Sequence, residues 1–468
     1  MTGREFHPNG LLVIADGIVF PIFNELLNQG RLPNISRHIV ERAVVDVENA
    51  ISSHPSSTYE NMQALNTGMF PYDPGATSYS AQSGTINDML RFDNPSKGHT
   101  AKRKTIFHYV PANAISIHNP WNDGADDKHP GIYSLAALNY LRGWEGSNRA
   151  AVGRYEWALK NRQPLNFAEI WFPAYDRFGH AKPDDLLKIE YMQLDRHIGK
   201  MMKALQDAGQ YDETLVIFMA DHSMSETHGQ TNPNEVARDA GFKPRIGRTR
   251  NNFDSRIFSY GYGVGQIYMA KSVSASELEK RINRMLENEA VEHVIFPDEN
   301  KRIVYSRNSV AEISKRDLAY PYQMKILSGS NPFGYSDELC DLLRKPHIAE
   351  ESLLWTFNEE QPDAVVGIAE SMQHPNSPHL RFLASPGYAF GSNRNLTHLP
   401  AIINSHRLRN HGTLHRADSQ IPLIIAGPKI IEPRKVAYAR NIDWMPTFLE
   451  LAGYEVPQGL DGVSLLRR

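Results

Sequence analysis

One cysteine, Cys340, stands in the whole chain of 468 residues. That excludes an intramolecular disulfide and a zinc site built from thiolates. A surplus of charge is also missing: 50 Lys and Arg against 53 Asp and Glu leave a net charge of -3. There is no electrostatic footprint for gripping a nucleic-acid duplex. Long apolar runs are absent too. Leu11 to Ala15 is apolar but far too short to span a bilayer, and no later stretch is longer than a core strand or helix requires. No basic flank followed by an apolar run opens the sequence. The expectation is a soluble cytoplasmic protein with no membrane partner, in which the sequon Asn395-Leu396-Thr397 carries no meaning. Internal repeats and low-complexity tracts are lacking as well. With 41% hydrophobic and 22% charged residues, the composition is that of a globular protein. Any metal must sit on His, Asp and Glu, and 19 histidines provide for that.

Short apolar runs that stop at acidic residues carry the first positive signal. Leu11-Leu12-Val13-Ile14-Ala15 ends on Asp16-Gly17, and Leu215-Val216-Ile217-Phe218-Met219-Ala220 ends on Asp221-His222. Phe167 to Phe172 leads to Asp176. Runs apolar on both faces and separated by helical stretches read as buried parallel strands. Between the last two, Leu187, Tyr191, Leu194, Ile198, Met201 and Leu205 recur at helical spacing, from start signals at Pro183-Asp184-Asp185 to Gly209. Strand, helix, strand is a parallel crossover, and in such open sheets chemistry collects beyond the carboxyl ends of the strands. That is where Asp16, Asp176 and Asp221 lie.

The pattern fades after about Gln230. Ser274 to Leu286 reads as an amphipathic helix, Ile303-Val304-Tyr305 and Ala364-Val365-Val366-Gly367-Ile368 as strands. The core resumes at Pro422 to Pro428 and finishes with a helix near Trp444 to Leu451. The expected organisation is an α/β core from residues 1–230 and 400–468, with residues 231–399 inserted as a cap over the substrate region.

Four motifs follow one another in order: Asp16; Ser57-Thr58-Tyr59-Glu60-Asn61 with Asn66-Thr67-Gly68-Met69-Phe70-Pro71; Asp176-Arg177-Phe178-Gly179-His180 with Asp221-His222; and Asn410-His411-Gly412. At these residues the sequence resembles the type I phosphodiesterase/nucleotide pyrophosphatase branch of the alkaline phosphatase superfamily, with phosphonoacetate hydrolase in the same neighbourhood. The tail, Asp443, Pro446-Thr447, Gly453 and Asp461-Gly462, is similar to that family's ending. Two positions depart from it: Asp73-Pro74-Gly75 where His-Gly is frequent, and Ser223 where Gly usually follows Asp-His.

The resemblance implies an alkaline-phosphatase-like α/β/α sandwich on a mainly parallel sheet, with an inserted cap. It implies two divalent metal ions, Zn2+ foremost with Mn2+ or Fe as alternatives. Asp176, His180 and His411 would hold one; Asp16, Asp221, His222 and the Thr58 oxygen would hold the other. Thr58 would be the nucleophile, forming a covalent phospho-threonine, and Asn61 would donate a hydrogen bond to a phosphate oxygen. Two cations suit this chemistry because phosphate oxygens are anionic and repel nucleophiles. The substrate would be a small-molecule phosphodiester or phosphoanhydride. A phosphomonoester or a phosphonate (C–P) substrate is the alternative reading, and a catalytically silent binding relative the non-enzyme one. A sulfatase fits less well, since Cys340 lacks the proline of the Cys-x-Pro-x-Arg form.

Taken singly, each residue has a plainer explanation. Asp16 reads as a turn former, Thr58 as a helix N-cap, Asn61 as polar surface, and His180 and His222 as ordinary core or surface histidines. Their joint, ordered occurrence is what favours the site. His406, His415 or His228-Gly229 compete with His411 for the late ligand, and Gly412 directly after His411 favours it. The cluster Lys243, Arg245, Arg248 and Arg250 reads as a solvated loop before a second phosphate grip. Tyr59 is open between stacking on a substrate ring and packing beneath the site. Oligomeric state has no signal.

Overall fold

The runs that stop at acidic residues become neighbouring strands. In the computed structural model Asn9–Ala15 lies between Phe167–Phe172 and Thr214–Met219, parallel to both. The three are buried along nearly their whole length, which is why they read as continuous apolar runs instead of alternating ones. The structure describes residues 8–72, 77–80, 85–88, 103–129, 132–245, 253–260, 262–317, 319–391, 408–428 and 431–468. The sheet continues on one side through Ala114–Ile117 and Asp127–His129, and on the other through Leu423–Ala426, Ala43–Ile51 and Gln420–Ile421. Leu423–Ala426 runs against both its neighbours, and Arg434–Arg440 adds a parallel partner to Ala43–Ile51. The result is the mainly parallel α/β sheet that the resemblance implies.

Helices cover this sheet. Asp184–Asp207 buries Leu187, Tyr191, Leu194, Ile198, Met201 and Leu205, the stripe that the spacing predicts. It packs with Phe20–Asn28 and Pro33–His38, whereas Thr58–Thr67 packs with Trp444–Leu451. No helix among the described residues is long and apolar enough to cross a membrane.

The inserted segment builds its own sheet. Seven antiparallel strands follow in the order Ser255–Tyr260, Val264–Met269, Leu380–Ala384, Val291–Asp298, Lys301–Ser306, Ser309–Lys315 and Tyr322–Gly329. One of its faces carries the helix Ala275–Glu287, over Ile267, Val294 and Phe382. The other joins Val264, Ile295, Val304 and Leu383 to Ala64, Phe70, Leu414 and Ile442 of the core. The strand expected at Ala364 to Ile368 is instead part of a helix, Ala364–Glu370, buried at every residue. A five-residue apolar run has no periodicity to separate the two states. Asp363, in the left-handed conformation with φ of 56°, starts the helix.

Asp363 also ties the insert to the core. Its carboxylate accepts from Arg440 Nε at 2.6 Å and Nη2 at 2.8 Å, and both side chains are buried. Arg440 directly precedes Asn441, which donates to Asn61 of the helix Thr58–Thr67. Removing one partner of a buried pair strands the other's charge, so Asp363→Ala is expected to destabilise the fold by about 3–5 kcal/mol. Denaturant unfolding checks this; a loss under 1 kcal/mol would mean the pair is not holding insert to core.

Candidate active site

Every candidate ligand sits just past a strand end. Asp16 follows Asn9–Ala15, and Asp221 and His222 come directly after the strand Thr214–Met219 and Ala220. Asp176 and His180 lie one turn apart on the helix Ala174–Ala181, which opens where Phe167–Phe172 ends. His411 follows the short strand Arg409–Asn410. Gly17 allows the convergence: its φ is 61°, and a Cβ there would stand 2.8 Å from the Asp176 Cα. Thr58 is the first residue of the helix Thr58–Thr67, whose positive dipole end therefore faces the same place. From Ile51 to Gly68 every residue is buried except Thr58, which is partly exposed. Thr58 Oγ1 lies 3.3 Å from Asp16 Oδ1 and 3.1 Å from His222 Nε2.

The positions of the imidazole protons follow from their partners. A carbonyl oxygen only accepts. His180 Nδ1–H donates to the Arg409 carbonyl at 2.7 Å, His222 Nδ1–H to that of Ser223 at 2.9 Å, and His411 Nδ1–H to that of Ser56 at 2.8 Å. The three Nε2 atoms are thereby turned inward, and a neutral ring presents a lone pair there. They face carboxylate oxygens: His180 and His411 lie 3.3 and 3.4 Å from Asp176 Oδ1. His222 lies 3.5 Å from Asp16 Oδ1 and 3.6 Å from Asp221 Oδ2. Asp176 Oδ1 and Asp221 Oδ2 have no hydrogen-bond partner. Acceptor facing acceptor in a buried space calls for a cation between them.

The charges lean the same way. Among the described residues, Asp16, Asp176 and Asp221 make ion-pair contacts only with histidines. Burial, with the charges of Asp221 and Asp176, pushes the Asp16 carboxyl well above its usual range. Burial likewise pushes Asp221 up to about 6. Asp176 is different: burial pushes it upward, yet the imidazoles of His180 and His411 hold it well below the ordinary carboxylate range. Burial and the neighbouring His411 keep His222 well below the usual imidazole value. His411 is raised, because Asp176 outweighs its burial. One ligand atom each from Asp176, His222 and His411 lie within 4.8 Å of one another, and so do those from Asp16, Asp221 and His222. His222 is common to both groups and stacks on His411 with ring centroids 3.8 Å apart, whereas His180, 3.3 Å from Asp176 Oδ1, is in neither of them. A set of imidazole nitrogens and carboxylate oxygens, with no thiolate, fits zinc and equally manganese or iron.

Asn61 is not among them. Its amide donates to the carbonyls of Pro55 and Ser57, both at 3.0 Å, and accepts from Asn441 Nδ2 at 2.7 Å. Both amide hydrogens are thereby committed to main-chain carbonyls where the chain enters the helix Thr58–Thr67, which leaves none for the expected bond to a phosphate oxygen. Tyr59 packs edge-on against Trp121 beneath the site, with centroids 5.0 Å apart. His228 is exposed on the strand Ser225–Thr231, and His415 pairs with Glu292 at 2.7 Å, so neither competes with His411. His406, Arg248, Arg250, the sequon and Asp73-Pro74-Gly75 lie outside the described residues. Ser223 donates no ligand; its hydroxyl accepts from the Phe20 N–H at 3.1 Å.

Trp171 is no part of any motif, and the tail motif shows its role only in the fold. Trp171 donates its indole N–H to Asp16 Oδ2 at 3.1 Å. Its strand position, paired with Ile14, was the available signal. The tail pattern acts as a buckle on the helix Thr58–Thr67. Asp461 and Gly462 N–H groups donate to the carbonyl of Gly68, its C-cap, while Asp461 Oδ2 accepts from Phe70 N at 2.9 Å.

The profile of the Type I phosphodiesterase / nucleotide pyrophosphatase family matches residues 11–412. The chain belongs to this family. The match runs through the inserted segment and stops short of the tail. Human ectonucleotide pyrophosphatase/phosphodiesterase 5 superposes with a TM-score of 0.60 at 12% identity, covering 98% of each chain. The murine protein, in an inactive threonine-to-alanine form in complex with AMP, gives 0.58 at 13% identity over 96% of each. At such identities the likeness concerns the fold. Bis(5'-adenosyl)-triphosphatase enpp4 of Xenopus laevis is 21% identical over 221 residues, 43% of this chain and 45% of that protein. Arylsulfatase K of the same organism is 36% identical over 62 residues, 13% of this chain and 12% of that one. The chain thus spans less than half of these curated relatives.

Two groups of converging ligand atoms among the described residues give the expectation of two divalent cations per chain. Each bound cation stabilises the native state by mass action, about 4 kcal/mol at a thousandfold excess over Kd. Elemental analysis should find close to two, and a chelator should lower the melting temperature, with zinc restoring it. An unchanged melting curve after complete chelation would contradict the assignment.

Proposed function

We propose that the protein hydrolyses phosphodiester or phosphoanhydride bonds of small molecules through a covalent phospho-threonine on Thr58, with the help of two divalent cations, zinc foremost. One observation carries the reading. Thr58 is the single partly exposed residue of a buried stretch, and its hydroxyl lies against Asp16 and His222. Asp176, His180 and His411 would hold one cation and Asp16, Asp221 and His222, with the Thr58 oxygen, the other. When bound, the pair neutralises the anionic oxygens of the substrate and acidifies the threonine hydroxyl.

The chain's own groups do the rest. Asp16 Oδ1 and His222 Nε2 flank the Thr58 hydroxyl and fix where its oxygen stands; because both would be ligands of the same cation, the hydroxyl proton passes to water and not to them. Oγ1 forms the new bond to phosphorus as the bond to the leaving oxygen breaks. Water then attacks the phospho-threonine, and Thr58 recovers its proton. The amino end of the helix Thr58–Thr67 favours the negative charge of the transferring group. Asn61 at its start and the tail buckle at its carboxyl end keep that helix from drifting, which matters because positioning carries much of the rate in phosphoryl transfer.

A diester or anhydride is favoured over a monoester. No lysine or arginine is paired with the site carboxylates or bonded to Thr58 among the described residues. A monoester's extra negative charge would find no partner beyond the cations. The nucleotide-directed relatives, one a bis(5'-adenosyl)-triphosphatase and one in complex with AMP, support a nucleotide-like substrate.

Thr58→Ala places a good helix former at the first helical position, so the protein should fold and keep its metal. Its turnover of a chromogenic diester should fall by on the order of 10² or more, since the nucleophile is gone. Thr58→Ser, which keeps the oxygen, should retain measurable activity. Near-normal turnover in Thr58→Ala would rule the mechanism out.

A further inference from the structure

The turn between Ser255–Tyr260 and Val264–Met269 is where the inserted sheet meets the candidate site. Gly263 N–H donates to the carbonyl of His411 at 2.9 Å, and Tyr262 pairs with His411 in a parallel bridge. The carbonyl of Tyr262 in turn accepts from Phe390 N at 2.7 Å. The Tyr262 ring stands edge-on to His180, with centroids 5.0 Å apart and planes at 81°. Its φ is 62°, in the left-handed region that bulky side chains rarely adopt. Backbone strain of this kind persists where the surroundings over-determine it, and it clusters at functional sites. Gly263 leaves no slack either: a Cβ there would stand 2.5 Å from the His411 carbonyl oxygen.

The two side chains that this turn touches, His180 and His411, both belong with Asp176 to one proposed cation. Among the described contacts it makes none with Asp16, Asp221 or His222, the protein ligands of the other. We propose that Tyr262 and Gly263 are positioning residues through which the inserted sheet sets the affinity of the Asp176/His180/His411 cation far more than that of the other. This inference rests on the two-cation reading above. The physical basis is orientation. The His180 ring is fixed at Nδ1 by the Arg409 carbonyl, and the Tyr262 ring closes off one side of it. The His411 ring is fixed by Ser56, and the Gly263 N–H fixes its backbone. Contacts that orient a metal-binding histidine are typically worth 10–100-fold in metal affinity. A turn that only anchored the insert would stabilise the fold without discriminating between the cations.

Titrating metal-free protein with zinc against a chromogenic competing chelator tests this. The unmodified protein should show two binding steps. Tyr262→Ala should weaken one of them by about 10–100-fold and leave the other nearly unchanged. Tyr262→Phe, which keeps the ring, should keep both. Gly263→Ala, which must push on the His411 carbonyl, should reproduce the selective loss by an independent route. Should Tyr262→Ala fail to fold, Gly263→Ala carries the same test. Melting curves of the metal-free variants separate a loss of fold from a loss of ligand orientation. Equal weakening of both steps, or of neither, in folded variants would overturn the inference. Fewer than two steps in the unmodified protein would instead sink the two-cation reading beneath it.

Discussion

Three imidazole nitrogens and three carboxylates point at one another in a buried space, and the rest of the structure serves that unfavourable meeting. Each ring has its Nδ1 proton committed to a main-chain carbonyl, so each Nε2 faces an oxygen that it cannot satisfy while neutral. Protonating His411 relieves part of the conflict, and the raised His411 and lowered Asp176 show the electrostatics leaning that way. It cannot relieve all of it, because His222 is held neutral and Asp16 and Asp221 face each other's charge without a lysine or arginine. Cations between them would satisfy these lone pairs together. A site that is so poor without metal is for that reason strong with it.

The fold supplies the meeting point. Three adjacent parallel strands deliver Asp16, Asp176 and Asp221 to the same edge, and Gly17 lets the first two backbones approach. Thr58 reaches them on the amino end of a helix that is anchored at both ends: by Asn61 and Asn441 at its start, by Asp461 and Gly462 at Gly68. His411 comes last in the chain and is held from two sides, by Ser56, two residues before Thr58, and by Gly263 of the insert. The inserted sheet is therefore joined to the centre through a ligand's own backbone, and not only through the hydrophobic contacts along its inner face.

Much of this was legible in the sequence because burial on both faces leaves a strand with no polar interruptions. The runs at Leu11, Phe167 and Leu215 could be read that way, and the helix Asp184–Asp207 by its stripe. Ala364 to Ile368 misled for the same reason, since a short helix buried on all sides looks like a buried strand. Six acidic and histidine residues and Thr58 could be named because their chemistry shows in residue type and order. Asn61 could not be read correctly, because its partners are main-chain carbonyls and an asparagine 380 positions away. Trp171, Ser56, Tyr262 and Gly263 contribute through geometry that only folding creates. The bond from His411 to Ser56 alone closes a separation of 355 residues.

The central claim is that cations occupy the space between opposed acceptors. Anomalous diffraction from crystals grown with zinc, recorded on both sides of the zinc edge, measures that most directly. Two peaks are expected, one bounded by Asp176, His180 and His411 and one by Asp16, Asp221 and His222 with Thr58 beside it. A single peak, or ordered zinc only elsewhere on the protein while these six side chains keep their positions, would contradict it.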